Sequence, residues 1–252
     1  MLLNKIMSTK EAVSKIKDGS SIIISGFCGI GSPDDVIDEI IEQGIKDLTI
    51  IANDGGTPIT GVGKLLYAGR VKKFLCSWCA FTPIVARLVE ENGMEMEFNP
   101  QGTVVERIRA GGCGLGGVLT KTGLGTVVEE KGWGKRIKIE GEEWLYHTPL
   151  RSDVALIEAY QADEAGNLVF NRTQLNYAEL ASMAATLVIA SVVKPISKIG
   201  ELDPDHIRVP GALVDILVQQ DERYVEQPKY LNPTILDAIK KANQEFKAGV
   251  QR

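Results

Sequence analysis

The chain has 252 residues, 44% of them hydrophobic and 24% charged, with 28 Lys and Arg against 33 Asp and Glu for a net charge of −5. That length and balance suit a globular α/β protein with a sizeable core and exclude a stapled miniprotein, a disordered chain or a fibre. Basic residues are scattered, no apolar run approaches the ~18 residues of a membrane span, and Lys5, Lys10 and Glu11 stand where a secretory signal would be apolar, so the chain is expected to be cytoplasmic with neither nucleic acid nor membrane as partner.

Ser8-Thr9-Lys10-Glu11 has the spacing of a capping box and opens a short helix through Ala12, Val13 and Ile16. Asp18-Gly19 turns into the apolar run 21–24, which reads as a strand buried on both faces. A glycine loop, Gly26-Phe27-Cys28-Gly29-Ile30-Gly31, leads to Ser32 as N-cap and Pro33 at the first helical position, with Val36, Ile37, Ile40 and Ile41 on one helix face and Gly44 as its stop. Residues 48–52 form a second two-faced strand. A helix at 63–67, a strand at 73–76, a helix from Pro83, a strand at 94–98 and a helix at 103–110 follow, an alternation that predicts an open, mostly parallel sheet flanked by helices.

Further glycines, at 111, 112, 114, 116, 117 and 123 among others, mark a small glycine-rich β excursion over 111–146, in which 137–146 alternates around Gly141 like a hairpin. Strands at 154–159 and 168–170 flank the turn Ala165-Gly166-Asn167, and a helix at 177–185 precedes a strand at 186–191. With no repeat and no clean linker, 1–220 is expected to be one domain and 221–252 a charged helical tail, amphipathic over 235–246.

The motifs exclude more than they assign. Gly26 to Gly31 has the order G-x-x-G-x-G between a strand and a helix, which suits an anion or a developing oxyanion, and suits equally a tight turn that needs small residues. Residues 112–117 fit G-x-G-x-x-G but follow a helix and precede none, so no dinucleotide site is expected there. Cys76-Ser77-Trp78-Cys79 lacks the second pair or the histidine that zinc needs; two reduced thiols packed at a strand end are preferred over redox chemistry, and Cys28 and Cys113 are expected to be reduced too. His147 and His206 are the only histidines, and neither H-E-x-x-H nor G-x-S-x-G occurs, which disfavours those metal and serine hydrolases. Asn53-Asp54-Gly55-Gly56 stands at the carboxyl end of a buried strand, as a ligand site or as a plain Asx turn.

Taken together, the segments Asp18 to Pro33, Ile51-Ala52-Asn53-Asp54, Pro100-Gln101-Gly102-Thr103, Glu106 to Gly112, Thr120 to Thr126 and Arg151 to Ile157 resemble the family I coenzyme A transferases, specifically the α subunit of the two-chain 3-oxoacid and acetate enzymes. Ser25 departs from the family's pattern, which has Gly there. The resemblance implies the fold shared by CoA-transferases and sugar-phosphate isomerases. It also implies CoA transfer from an acyl-CoA to a free short carboxylic acid by a ping-pong route, through an acyl-glutamyl anhydride and a glutamyl-CoA thioester. The glutamate belongs to the β subunit, so a heteromer with the active site at an otherwise exposed apolar seam is implied; CoA thioester is substrate, and no permanent cofactor or metal is expected. Glu90-Glu91-Asn92-Gly93 looks like the nucleophile's context without its Ser, and is read as a helix end.

By the same resemblance Gln101 faces the thioester carbonyl, Asn53 and Asp54 lie near the carboxylate substrate, and Gly26, Phe27 and Gly29 shape the loop beside them. Trp78 and Phe81, in a stretch where relatives are more polar, are expected to narrow the acyl pocket. The alternatives are a sugar-phosphate isomerase or deaminase, which needs a cation cluster not evident here, and a catalytically silent acyl-CoA-binding protein of the same fold.

Overall fold

The computed structural model describes residues 4–225 and 233–248. In chain order these form β1 (Ile6–Met7), α1 (Thr9–Val13), β2 (Ser21–Ile24), α2 (Asp34–Glu42), β3 (Leu48–Ala52), α3 (Val62–Tyr67), β4 (Val71–Cys76), α4 (Ile84–Glu90), β5 (Glu95–Phe98) and α5 (Gln101–Gly112). There follow β6 (Val118–Thr120), α6 (Val127–Glu130), β7 (Lys135–Ile139), β8 (Glu142–His147), β9 (Ser152–Ala159), β10 (Gln161–Ala162), β11 (Leu168–Val169), α7 (Ala178–Ala184), β12 (Ala185–Val192), β13 (Ile216–Gln219), α8 (Glu222–Val225) and α9 (Pro233–Lys247).

Eight of the strands make one sheet in the order β1-β13-β12-β9-β2-β3-β4-β5, and every neighbouring pair is parallel. Apolar runs without alternation are what such a sheet requires, because helices cover both faces. Ile22, Ile24 and Ile50 pack with α1 to α4 on one face, while Ile23, Ile51, Leu75 and Ala155 pack with α5 and α7 on the other. The chain steps outward from β2 to β5, then returns to the opposite flank of β2 with β9. Strand order therefore reverses between β2 and β9, and the loops leaving their carboxyl ends diverge into a crevice, the usual place for a ligand in an open α/β sheet.

The sequence-based boundaries hold for most elements, with four corrections. Ser8 does close a capping box with Glu11, but Pro33 rather than Ser32 occupies the N-cap of α2, which starts at Asp34. The Ser32 hydroxyl instead donates to the Ser25 carbonyl at 3.2 Å. The helix expected over 103–110 is longer at both ends, so the excursion begins later and is a three-stranded antiparallel sheet in the order β6-β8-β7. Glu140 and Gly141, both at positive φ, make its two-residue hairpin turn. The turn around Ala165-Gly166 joins β10 to β11 rather than hairpinning from β9, which is committed to the large sheet. Strands β1 and β13 were not foreseen. In the tail, described over 221–225 and 233–248, α9 buries Ile235, Ile239 and Ala242; the Arg87 guanidinium lies 5.4 Å from the Phe246 ring centre.

Candidate active site

The glycine loop after β2 is a miniature hairpin. Phe27 and Ile30 exchange backbone hydrogen bonds of 3.0 Å in both directions, and the two residues between them, Cys28 and Gly29, have φ of 51° and 86°. That is the geometry of a type I′ turn. A side chain at Gly29 would meet Thr60 Oγ1 at 2.6 Å, and one at Gly26 would meet the Ile30 carbonyl at 2.6 Å. The amides of Phe27, Cys28, Ile30 and Ser32 are bonded within the protein, and the turn displays Phe27, which is 44% exposed. Ser25, the departure from the family's Gly, is buried and donates to the Gly31 carbonyl, bracing the same loop.

Asp54, at the end of β3, is buried and faces backbone. Its carboxylate accepts from the amides of Cys28, at 3.2 and 3.3 Å, and of Gly56, at 3.0 Å, tying the β2 and β3 loops together. Burial pushes its carboxyl up to about 6, against the lowering pull of those two amides. Burial, then this carboxylate, pushes the Cys28 thiol up to about 12, so Cys28 is a protonated thiol at neutral pH and no nucleophile. Because the folded carboxyl holds its proton to higher pH than the unfolded one, Asp54 opposes folding increasingly as pH rises from about 4 to 6. Asp54→Asn keeps an acceptor oxygen without the charge. Its stability relative to the parent is therefore expected to rise over that window by roughly 2–3 kcal/mol, read from melting temperatures across pH; a constant difference would show that the carboxylate is not desolvated.

Asn53 is the hub of the site. Its side-chain amide donates to the Gly26 carbonyl at 2.9 Å and to Asn176 Oδ1 at 2.7 Å, and its Oδ1 accepts from Gln101 Nε2 at 3.3 Å. Gln101 opens α5 directly beyond β5 and is exposed; its second amide proton is uncommitted among the described residues. The relay Gln101–Asn53–Asn176 joins the carboxyl ends of β3 and β5 to the turn before α7. Asn176 was not anticipated from sequence. It sits at φ 41° and ψ −120°, a positive-φ conformation outside the left-handed helical basin that side chains other than glycine seldom adopt, and no motif around it points to Asn53, 123 positions away. The next residue, Tyr177, is buried and donates from its hydroxyl to the Ile24 carbonyl at 2.6 Å.

The loop after β4 carries the aromatic residues. Ser77 donates to the Asn53 carbonyl from backbone and hydroxyl, and the Gly55 amide donates to the Trp78 carbonyl. Trp78 lies 4.5 Å, edge to face, from Phe81 and 5.9 Å from Phe27 by ring centres. Cys76 is buried and hydrogen-bonded to Cys79, which raises the Cys76 thiol and lowers that of Cys79; all four cysteines are free. Among the described residues no group of His, Cys, Asp and Glu is arranged to hold a metal, and no helix is long and apolar enough to cross a membrane.

Behind Gln101 lies a buried clamp. Arg107 donates to Glu97 Oε1 at 2.6 Å, to Asn99 Oδ1 at 3.2 Å and to the Thr148 carbonyl at 2.8 Å. Asn99 bonds Glu97 in turn at 3.0 Å. Glu90 and Glu91 are exposed at the last turn of α4, which runs back from the site toward the amino ends of the strands. A cavity of ≈ 470 Å³ beside the relay is lined by Gln101, Asn176, Leu175, Arg208 and Glu179, making Glu179 the glutamate in that lining.

Comparison with known proteins gives one consistent result. Residues 6–220 match the family model described as Coenzyme A transferase. The acetate CoA-transferase subunit alpha of Escherichia coli is 42% identical over 223 residues, 87% of this chain and 99% of that protein. The acetoacetyl-CoA:acetate/butyrate CoA transferase alpha subunit of Clostridium acetobutylicum is 44% identical over 217 residues, 86% and 98% of the two chains. In fold alone, the crystal structure of glutaconate coenzyme A-transferase from Acidaminococcus fermentans superposes with a TM-score of 0.83 at 23% identity, over 97% of this chain and 86% of that one. Neither the sugar-phosphate isomerase nor the silent-binding alternative is favoured by these relatives.

Proposed function

Since the chain belongs to the coenzyme A transferase family, as the counterpart of its alpha subunits, we propose that it contributes the oxyanion-binding half of an active site whose nucleophilic glutamate comes from a β subunit. The relay at Gln101 carries this reading. An amide nitrogen held by Asn53 offers its free proton to a thioester oxygen, and gains strength as that oxygen becomes an oxyanion under attack. Asn53 is in turn fixed by Gly26 and Asn176, so the donor is preorganised. Attack by a carboxylate on the acyl-CoA releases CoA thiolate and leaves an acyl-glutamyl anhydride. The thiolate then attacks the glutamyl carbonyl, expelling the acid, and the acceptor carboxylate completes the exchange in reverse. No cofactor is required by this sequence.

Three carboxylates of this chain, those of Asp54, Glu90 and Glu91, are poorly placed for the nucleophile. Asp54 is buried against backbone amides, and Glu90 and Glu91 lie at the wrong end of the sheet. Purifying the tagged chain gently from its own cells is expected to bring a second chain of similar size, with CoA exchange only when both are present. A lone chain that exchanges CoA would overturn the division of labour and make Glu179, inside the Gln101 cavity, the first residue to replace.

Phe27, Trp78 and Phe81 form an apolar wall at the mouth of the site, suited to the short hydrocarbon end of the acyl group. Trp78→Ala is expected to shift kcat/KM toward longer acyl chains by about tenfold per added methylene or two. An unchanged chain-length profile would remove Trp78 from the pocket.

A further inference from the structure

Glu158 stands at the carboxyl end of β9, beside the glycine loop, and is 1% exposed. A buried carboxylate is costly wherever it sits. Packing gives no reason for one here, since Val154 and Leu156 on the same face of the strand belong to the apolar core. Its two oxygens accept from two buried carboxamides: Oε1 from Gln174 Nε2 at 2.8 Å and Oε2 from Gln220 Nε2 at 3.2 Å. Gln220 also donates to Ser191 Oγ at 3.3 Å, and the Ser191 hydroxyl donates to Asp35 at 2.8 Å. One end of this line of hydrogen bonds is thus fixed in β12 and α2, and the other end is Gln174.

Gln174 belongs to the single turn of 3₁₀ helix, Arg172–Leu175, that leads into Asn176. Its Oε1 accepts from the Asn171 amide at 3.1 Å. Its backbone carbonyl lies against Gly31 of the glycine loop, where a side chain would approach it to 2.6 Å. The turn closes with the Asn176 amide on the Thr173 carbonyl at 3.2 Å. Asn176 has φ 41° and ψ −120°, a conformation that persists only where the surroundings over-determine it. From there its Oδ1 accepts from Asn53 Nδ2 at 2.7 Å, and Asn53 holds Gln101.

We propose that Glu158 is a positioning residue of the transfer reaction: by holding Gln174 it sets the turn that keeps Asn176, and with it the Asn53–Gln101 relay, in place. The inference rests on the reading that Gln101 is the oxyanion donor. A carboxylate suits the task because it only accepts, so both carboxamides keep their NH₂ groups toward it in one orientation.

The test is steady-state kinetics on the assembled enzyme at a temperature where each variant is folded. Glu158→Leu removes both acceptors. It is expected to lower kcat for CoA exchange about 10-fold while the KM for the thioester changes less than about twofold, because a misplaced oxyanion donor costs mainly in the transition state. Glu158→Gln is expected to recover most of that kcat. Its oxygen still accepts from Gln174, and its new NH₂ meets the Gln220 carboxamide oxygen, which has no hydrogen-bond partner among the described residues, once that carboxamide turns over. Asn176→Ala is expected to lower kcat by itself, and adding Glu158→Leu to it should bring no more than about a further twofold fall, the coupling of two residues that act in series. Losses that multiply overturn the proposal, as does an Asn176→Ala enzyme of full kcat, a folded Glu158→Leu enzyme of full kcat, or a loss confined to KM. Should Glu158→Leu not fold, Gln174→Met removes the same hydrogen bond from its other end and carries the same predictions. Gln101→Ala is measured alongside. Full kcat in that variant would refute the functional reading and the inference with it, whereas a fall at Gln101 with none at Glu158 would remove the inference alone.

Discussion

Gln101→Ala is expected to lower kcat for CoA exchange by about 10²–10³-fold while changing the KM for the thioester little, the signature of a donor whose bond is formed mainly in the transition state. Gln101 is exposed, so the melting temperature should stay within about a degree or two of the parent's. Gln101→Glu is the sharper variant. It has nearly the same shape, but it places an acceptor beside Asn53 Oδ1, now 3.3 Å from the amide nitrogen, and a negative charge where the oxyanion forms. Its kcat should therefore fall at least as far. Loss appearing only in KM would make Gln101 a binding residue and move the oxyanion donor elsewhere, with Asn53 the next to replace.

What sequence made legible was the part of the fold that each segment encodes by itself. Strands β2 and β3 are apolar runs buried on both faces, and their glycine and Asn-Asp exits locate the carboxyl edge of the sheet where the candidate site lies. Strand β1 has two residues and β13 four, too short for a period to register, and their partners lie far away in sequence: Ile6 pairs with Leu217. The Ser32 cap fails for a related reason. Ser is a preferred N-cap, but its hydroxyl is taken by Ser25 across the glycine loop, a tertiary competitor invisible to local rules. In the candidate site, resemblance singled out Gln101 and Asn53, which the structure joins by a hydrogen bond, whereas Asn176 escaped because its place beside them rests on a positive φ and one long-range hydrogen bond. Asp54 shows the reverse. Its position was legible, and only the structure shows that its carboxylate is turned onto the amides of Cys28 and Gly56.

The largest loss of stability is expected at Arg107, which is buried at 4% exposure and joins three parts of the fold through its guanidinium. Glu97 belongs to β5, Asn99 to the loop that delivers Gln101, and Thr148 to the chain returning from the excursion. Arg107→Ala leaves Asn99 Oδ1, the Thr148 carbonyl and the half-buried Glu97 carboxylate without their shared donor, although Glu97 keeps Lys73 at 4.0 Å and the Asn99 amide, so the cost is expected at the lower end of the roughly 3–5 kcal/mol for breaking a buried ion pair. Chemical denaturation should show this as a lower midpoint. Replacing Glu97 and Arg107 together by Met should recover a good part of it, since well-packed apolar side chains are tolerated where an isolated buried charge is not. Equal losses in the single and double variants would mean that packing, rather than the weakened pairing of the Glu97 carboxylate, dominates. Arg107→Lys separates stability from function. It keeps a charge for Glu97 but cannot span Asn99 and Thr148 with one planar fork, so the segment 99–101 should loosen while the fold survives. The expected readout is a fall in kcat at a temperature where the variant is fully folded. A Lys variant that is less stable yet retains its full kcat would confine Arg107 to the fold and leave Asn53 and Asn176 as sufficient supports for Gln101.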